Sequence, residues 1–194
     1  LGPIGQPFRM SPDRPNTLLV GGGVGIPPMV YIADWLRQNK GGWKPFAILG
    51  SEIQVPYELQ KSSLHVSGVA HDVNTTIPLL ESLGIPARLT SLQGNEGCPD
   101  GYVTDLAGQW LATLADDELC KVEVFACGPP PMVKAVADLS ARYDLPCQVS
   151  LEELLAGAVG GCAGCAVNIN TPDGEAMKRV CVDGPVFDAA TVVW

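Results

Sequence analysis

Three cysteines near the end of the chain have the spacing of a metal site. Cys162 and Cys165 are separated by two residues in the stretch L-L-A-G-A-V-G-G-C-A-G-C, and Cys181 follows after 15 intervening residues. Thiolates at this spacing bind iron or zinc, but a zinc site or a [2Fe–2S] cluster takes four protein ligands. Gly157 stands where a cysteine would complete the pattern C-x4-C-x2-C. The sequence therefore predicts an iron–sulfur-type loop with one ligand missing.

A glycine run near the start of the chain is typical of a phosphate-binding turn. Gly21, Gly22, Gly23 and Gly25 follow the apolar stretch T-L-L-V, and a helix with apolar residues at helical spacing follows near Pro27. At such a turn, backbone N–H groups and the helix N-terminus can approach a pyrophosphate. The run is not G-x-G-x-x-G, so a tight turn that binds nothing stays open as an alternative.

A second loop, A-C-G-P-P-P-M, follows a later strand. Because parallel sheets bind ligands at the carboxyl ends of their strands, we expect this loop and the glycine run to converge on one crevice. Cys127 would then point a thiol into that crevice, although a cysteine at a strand end is often simply buried. Together the two loops favour a nucleotide site.

The elements between these motifs alternate. We predict strands at 17–20, 45–50, 87–92, 121–128 and 146–151, and helices at 27–36, 77–84, 103–114 and 132–140. This order predicts an α/β fold with a doubly wound parallel sheet and a small C-terminal iron–sulfur-type module. We place the boundaries at 1–9, the end of an upstream domain, 10–149, the sheet domain, and 150–194, the cysteine module with a short strand at 166–170.

Composition narrows the class of protein. The 194 residues carry 12 Lys and Arg against 21 Asp and Glu, a net charge of −9, which disfavours nucleic acid and anionic membrane surfaces as partners. No stretch has the length and apolar character of a membrane span. Seven cysteines, three of them crowded in the tail, fit metal binding better than a disulfide framework. We therefore expect a cytoplasmic protein.

Three other features have no predicted catalytic role. Residues 53–72 form an excursion whose alternation around K-S-S predicts a hairpin or a loop. His65 and His71 fall inside it and are interpreted as surface residues. The neighbours Glu152 and Glu153 are interpreted as solvated or capping side chains.

Taken together, the motifs resemble the electron transfer subunit of dihydroorotate dehydrogenase, within the ferredoxin reductase superfamily. The resemblance covers the chain except 53–72, which looks like an insertion. The stretches that carry it are G-P-I-G (2–5), V-G-G-G-V-G-I-P-P (20–28), D-G-Y-V-T-D-L (100–106), A-C-G-P-P-P-M (126–132), C-Q-V-S-L-E-E (147–153), C-A-G-C (162–165) and R-V-C-V-D-G-P-V-F-D (179–188).

The resemblance implies an electron relay in pyrimidine biosynthesis. A catalytic dihydroorotate dehydrogenase subunit, the partner in a hetero-oligomer, oxidises dihydroorotate on FMN, and electrons pass through a [2Fe–2S] cluster and FAD to NAD+. It also implies roles for single residues: the NAD pyrophosphate on Gly21, Gly22, Gly23 and Gly25; the nicotinamide near Cys127, Gly128 and Pro129; the flavin domain's edge at Gly2 and Pro3; and iron on Cys162, Cys165 and Cys181.

The chain departs from the family pattern at three places. The family's flavin-binding barrel is represented only by G-P-I-G, so we expect this chain alone to hold FAD weakly or not at all. Gly157 replaces the first cluster cysteine, so either water, a backbone group or Cys147 completes a modified cluster, or the loop keeps only the shape of a lost site. Glu52, near the end of the second strand, favours the free 2′-hydroxyl of NAD over the 2′-phosphate of NADP.

Two alternatives stay open. One is an NADH-dependent flavin reductase for another ferredoxin-like acceptor, which would share the nucleotide loops. The other is a regulatory module, zinc-stabilised or metal-free, that binds a nucleotide without redox chemistry. Under the electron-relay interpretation that the resemblance implies, the surface around 157–165 is the expected interface with the catalytic subunit.

Overall fold

A computed structural model describes residues 2–39, 41–53, 55, 57–93 and 96–194. The elements in chain order are β1 (Asn16–Gly22), α1 (Ile26–Gln38), β2 (Lys44–Ser51), β3 (Gln60–Lys61), β4 (Thr75–Thr76), α2 (Pro78–Ser82), β5 (Ala87–Ser91), α3 (Val103–Leu111), α4 (Asp116–Leu119), β6 (Val122–Cys127), α5 (Pro130–Arg142), β7 (Cys147–Ser150), β8 (Ala166–Thr171), β9 (Gly174–Arg179) and β10 (Val186–Asp188).

The centre of the fold is a six-stranded sheet in the order β10-β7-β6-β1-β2-β5. The five strands from β7 to β5 are parallel, and β10 pairs with β7 in the antiparallel sense. Apolar runs such as V-E-V-F-A-C are buried along their whole length, because helices cover both faces of the sheet. The predicted α/β class and the mostly parallel, doubly wound sheet are confirmed.

Side chains that alternate along the strands divide the core into two layers. Leu19, Leu49 and Phe125 point to the face covered by α1, where they join Met29 and other helix residues. On the opposite face Leu18, Val20 and Val124 pack with α3 and α5, together with Leu106 and Val136. Each strand therefore sends successive residues to opposite faces, which decides where the residues at its carboxyl end point.

The segment between β2 and α2 is mostly loop. The hairpin we considered around K-S-S does not form. β3 pairs instead with β4, and both histidines lie in the chain between these two strands. The serines of K-S-S bind the carboxylate of Glu81: both hydroxyls donate to it at 2.7 Å, as does the Ser63 N–H at 2.8 Å. The serines at the centre of K-S-S therefore donate to a carboxylate on α2 instead of forming a hairpin turn.

The tail contains a hairpin and a strand of the main sheet. β8 pairs with β9 across the turn T-P-D-G, and β9 was missed because G-E-A-M-K-R shows no apolar alternation. β10 extends the main sheet, and Ile169, Ala189 and Val192 belong to the core layer under α5. The cysteine-bearing segment is therefore anchored to the sheet at its C-terminal end.

The region from 103 to 119 differs from the prediction in two ways. α3 ends at Leu111 rather than at Leu114, and the short helix α4 follows it unpredicted. Over the described ranges, no helix is both long enough and apolar enough to cross a membrane.

Candidate functional site

A cavity of about 540 Å³ opens at the carboxyl ends of β1, β2 and β5. This size is in the range of pockets that bind small molecules, and in sheets of this kind ligands bind at this end of the strands. Its wall comes from three strand ends and from the first turns of α3 and α5. The lining residues are Gly22, Gly23, Gly50, Ser51, Glu52, Ile53, Thr90, Leu92, Gly101, Tyr102, Val103, Thr104, Pro129, Pro131, Met132 and Ala135.

The two loops singled out in the sequence lie side by side. β1 and β6 are neighbours in the sheet, with Gly21 opposite Cys127. The turns that follow are in close backbone contact: a Cβ on Gly25 would lie 2.0 Å from the carbonyl oxygen of Cys127, and a Cβ on Gly128 would lie 2.8 Å from that of Gly22. Glycine is required at these positions because the two backbones touch.

The glycines of the first turn have different surroundings. Gly21 packs over Leu49 and Met29, and neither Gly21 nor Gly25 lines the cavity. Gly23 does line it, has φ of +53°, and has no atom within 4 Å of the position its Cβ would take. The turn therefore presents one open, left-handed glycine to the cavity, where a ligand can approach the backbone.

The cavity wall carries no positive side chain. None of its lining residues is Lys, Arg or His, and the exposed Glu52 stands at the end of β2. α1 and α5 begin beside the two turns, and no side-chain hydrogen bond caps either N-terminus in the described structure. Their first turns offer few backbone donors, because Pro27, Pro28, Pro130 and Pro131 have no N–H and the Ile26 N–H donates to the Gly23 carbonyl. The positive ends of the two helix dipoles favour an anion such as a pyrophosphate, but no described lining residue is a cation for an additional phosphate.

Cys127 is placed differently from our expectation. Alternation along β6 sends its side chain to the face covered by α1, so the thiol is buried there, 3% exposed, and does not line the cavity. Burial raises the pKa of this thiol, partly offset by a hydrogen bond with Ser150 and reinforced by the charge of Glu152. Cys127 is thus a neutral thiol at the strand end rather than a thiolate in the crevice.

Among the lining positions that sequence reasoning missed are Tyr102, Val103 and Met132. Tyr102 and Val103 begin α3, where the Tyr102 N–H donates to the Asp105 carboxylate at 2.8 Å and fixes the helix start. Met132, in the first turn of α5, lies against Gly22. The motif D-G-Y-V-T-D-L marked the first two as part of the resemblance, but no pattern within it assigned them to a cavity.

The segment before β1 runs along the tail. Gly2 and Pro3 are exposed, the Gln6 N–H donates to the Gly184 carbonyl, and Gly5 packs against the backbone of Gly184 and Cys181. Leu1 lies outside the described residues. The chain therefore enters this structure beside the cysteine module.

The cysteines of the tail form one pair and one separate thiol. Cys165 is buried and accepts a hydrogen bond from the Cys181 N–H at 3.5 Å, which lowers the pKa of the Cys165 thiol. Burial and the neighbouring Cys165 raise the pKa of Cys181. Cys162 is exposed, and its sulfur lies 3.5 Å from the position that a Cβ on Gly157 would take. A cysteine at 157 would therefore meet Cys162.

The residues present do not fit a four-thiolate cluster. Among the described residues, no three His, Cys, Asp or Glu side chains are grouped closely enough to hold a metal ion. Cys147, considered above as a distant fourth ligand, is buried in the core under α5, and burial raises its pKa to about 12. With glycine at 157, the loop offers three thiols and no fourth donor.

Arg179 and Asp183 hold the loop in place. The Arg179 N–H and Nε donate to the Asp183 carboxylate at 2.8 and 3.1 Å, and Arg179 Nη1 donates to the Gly160 carbonyl at 2.9 Å. This pair ties the glycine-rich loop to the turn that carries Cys181. The stretch R-V-C-V-D-G-P contains both residues, but the sequence alone gave them no role.

Known proteins are similar to the chain along its whole length. Residues 152–193 match the iron–sulfur cluster binding domain of dihydroorotate dehydrogenase B. The electron transfer subunit of dihydroorotate dehydrogenase B (NAD(+)) from Caldanaerobacter subterraneus subsp. tengcongensis is 31% identical over the entire chain, which covers 65% of that protein. The subunit of the same name from Shouchella clausii is 33% identical over the entire chain, which covers 64% of it.

A solved structure has the same fold. It comes from work on flavin-based electron bifurcation by an NADH-dependent reduced ferredoxin–NADP oxidoreductase, and the match has a TM-score of 0.71 at 27% identity. The match covers the entire chain and 59% of the other. The chain thus spans slightly less than two thirds of the length of these relatives.

Proposed function

The chain is homologous over its whole length to electron transfer subunits of NAD(+)-type dihydroorotate dehydrogenase B, and from this we propose that it is the nucleotide-binding and cysteine-bearing part of such a subunit. In this role it passes electrons from the flavin of a catalytic dihydroorotate dehydrogenase subunit, by way of FAD, to NAD+. FAD supplies the electron-transfer chemistry when bound, and the protein supplies position.

The observation that carries the proposal is the cavity between the two glycine turns. The open backbone at Gly23 would approach the pyrophosphate, and the positive dipole ends of α1 and α5 would favour its charge. Glu52 at the end of β2 would accept hydrogen bonds from the adenosine ribose, and the absence of a lining cation favours NAD over NADP. Pro129 would place the nicotinamide end beside β6.

The contact between the segment before β1 and the tail supports the proposed order of electron transfer. Because Gly5 and Gln6 pack against Gly184 and Pro185, a flavin held by an upstream domain would lie near the cysteine module. Exposed apolar side chains on that module, Leu154, Leu155 and Val159, then form the proposed surface for the catalytic subunit. With only three thiols present, we assign no step to a cluster.

Anaerobic titration of the full-length protein, with its flavin bound, tests the proposed function. We expect NADH to bleach the flavin absorption. A Gly23→Val variant should lose this response, since a branched side chain would occupy the open space and force a β-branched residue to positive φ. Gly161→Ala, at an open position in the cysteine loop, is the matched control and should respond like the wild type. Flavin that NADH does not reduce would remove the proposal.

The partner surface has its own test. Leu154→Asp should weaken association with the catalytic subunit by about tenfold or more, because a charge would replace an exposed apolar side chain at the proposed interface. NADH binding should stay unchanged. Leu79→Asp is the control: this leucine is also exposed, at 53% against 85% for Leu154, but lies on α2, which packs against α1. Equal association of both variants would place the interface elsewhere.

Gly157 favours a second candidate, an NADH-dependent flavin reductase whose acceptor is another ferredoxin-like protein. Such a reductase would need the nucleotide cavity but not an intact cluster in its own tail. Metal and sulfide analysis with a visible spectrum shows whether the tail holds an iron–sulfur cluster or zinc, since iron with sulfide absorbs in the visible range and zinc does not. A turnover assay with ferredoxin as acceptor, run beside one with the catalytic subunit, identifies the electron partner.

A further inference from the structure

Two of the three tail cysteines are held side by side by the hairpin of β8 and β9. Cys165 directly precedes β8, and Cys181 lies just after β9. The Val180 N–H donates to the Cys165 carbonyl at 3.0 Å, and the Cys181 N–H donates to Cys165 Sγ at 3.5 Å. A hydrogen bond also joins the two thiol side chains. The backbone of the hairpin therefore keeps these two thiols as direct neighbours.

Cys162 does not share these surroundings, although only two residues separate it from Cys165. It is exposed, whereas Cys165 is 2% exposed. In the part of the chain that the structure describes, no three His, Cys, Asp or Glu side chains come together, so Cys162 does not complete a group with the other two. The motif C-A-G-C favours a pair of Cys162 with Cys165, but the structure pairs Cys165 with Cys181.

The turn that carries Cys181 is fixed by several hydrogen bonds. The Arg179 carbonyl accepts from the N–H groups of Val182, Asp183 and Gly184, at distances of 2.8 to 3.2 Å. The Arg179 side chain binds the Asp183 carboxylate, as described above. Because the two thiols are already held together in the folded chain, a bond between them requires little further loss of chain entropy.

Their difference in exposure assigns a role to each thiol. Cys181 is half-buried, so a dissolved hydroperoxide reaches it before the buried Cys165. The hydroperoxide transfers one oxygen to the Cys181 sulfur, which becomes a sulfenic acid, and departs as an alcohol or as water. The Cys165 sulfur then attacks the Cys181 sulfur: the S–S bond forms, the S–O bond breaks, and the oxygen leaves as water with the thiol proton. The two thiols lose two electrons, and the hydroperoxide gains them.

From this arrangement we propose that Cys165 and Cys181 form a reversible disulfide, which makes the tail a modification site for hydroperoxides. A dithiol reductant restores the two thiols by exchange. The disulfide uses two of the three thiols that a metal in the tail would need, so oxidation and metal binding exclude one another. Neither cysteine lines the nucleotide cavity.

Peptide mapping of the full-length protein by mass spectrometry tests the proposal. Tryptic cleavage separates Cys165, in peptide 143–178, from Cys181, in the peptide that begins at residue 180. The reduced protein is treated with hydrogen peroxide, its remaining thiols are blocked with iodoacetamide in denaturant, and it is digested. We expect the two peptides to be linked, fragmentation to place the bridge on Cys165, and dithiothreitol to separate them.

Cys162→Ser and Cys165→Ser are a matched pair of variants, since each removes one thiol from the same tryptic peptide. Cys162→Ser should give as much linked peptide as the wild type, and Cys165→Ser should give about tenfold less or none. Fragmentation of the linked wild-type peptides locates the bridge by itself if Cys165→Ser does not fold.

Three results would overturn the proposal. A bridge on Cys162, to either of the other two cysteines, would show that the loop and not the hairpin selects the pair. Full alkylation of Cys165 and Cys181 after peroxide would show that the pair does not react. Iron and sulfide bound in the wild type as isolated, with both thiols protected from peroxide, would assign them to a cluster.

Discussion

The nucleotide cavity and the cysteine loop use glycine in opposite ways. In the cradle between β1 and β6, a Cβ on Gly25 or Gly128 would overlap backbone atoms of the facing turn. In the loop, Cβ atoms on Gly157, Gly161 and Gly164 would meet nothing closer than 3.5 Å. Gly25 and Gly128 are fixed by the packing of the sheet, whereas Gly157, Gly161 and Gly164 leave space.

A substitution therefore affects the fold in one region and the chemistry in the other. A side chain added to the cradle changes the relative position of two strand ends and therefore the shape of the cavity. A side chain lost from the loop changes little in the fold but removes a donor atom. The chain accordingly keeps both glycine turns of the cradle and a tail with three of the four thiols that a cluster would take.

The largest predicted effect comes from placing a methyl group in the cradle. Gly25→Ala should lower the free energy of unfolding by more than about 4 kcal/mol, or prevent folding, because its Cβ would lie 2.0 Å from a carbonyl oxygen. Gly157→Ala, the matched change in the loop, should alter it by no more than about 0.5 kcal/mol. Chemical denaturation measures both, and similar losses for the two variants would erase the contrast between the regions.

A buried carboxylate makes the sheet region pH-dependent. Glu123 on β6 is 2% exposed; burial raises its pKa to about 7, although the Ser11 N–H and the charge of Arg14 oppose the shift. In the unfolded chain the Glu123 carboxyl ionises near pH 4.5. Between about pH 4.5 and 7 the folded state therefore binds one more proton than the unfolded state, and the free energy of unfolding falls as pH rises. The total loss is about 3 kcal/mol.

Glu123→Gln checks this dependence. The amide oxygen can still accept from Ser11, but the side chain no longer ionises, so the fall in stability across this window should disappear. Urea unfolding of both proteins from pH 4 to pH 8 measures it. A wild type whose stability is flat over that range would show that Glu123 is not held protonated by the fold.

A smaller effect on stability, but a gain in chemistry, is expected from restoring the loop. Gly157→Cys should change the free energy of unfolding by less than about 1 kcal/mol and raise the iron and acid-labile sulfide bound after anaerobic reconstitution, because the new thiol meets Cys162. Gly161→Cys adds a thiol to the same loop at an open position and should not. Full iron and sulfide in the wild type would show that three cysteines suffice.

Much of the fold was predictable because it rests on local patterns. Apolar runs bounded by glycine and proline marked the strands of the parallel sheet, and helical spacing marked α1 and α5. What could not be predicted depends on contacts between distant residues. The pairing of β10 with β7, the capture of Ser62 and Ser63 by Glu81, and the burial of Arg88 all join parts of the chain that no short pattern connects.

The candidate site also has features that a local pattern predicts and features that depend on contacts between distant residues. The glycine turns and the cysteine spacing are visible in the sequence, since each is a local motif. The direction of the Cys127 side chain is not, because it follows from the phase of β6 within the sheet. The contribution of Tyr102 and Met132 to the cavity likewise depends on where two helices begin relative to strand ends that are distant in the chain.

Binding of NADH and NADPH to the full chain, compared by calorimetric titration, tests the central claim most directly. A cradle that holds a pyrophosphate at the open backbone of Gly23 and the positive helix ends, with Glu52 and no cation in its wall, predicts that NADH binds at least about tenfold more tightly than NADPH. Equal affinity for the two nucleotides, tighter binding of NADPH, or binding of neither would contradict it.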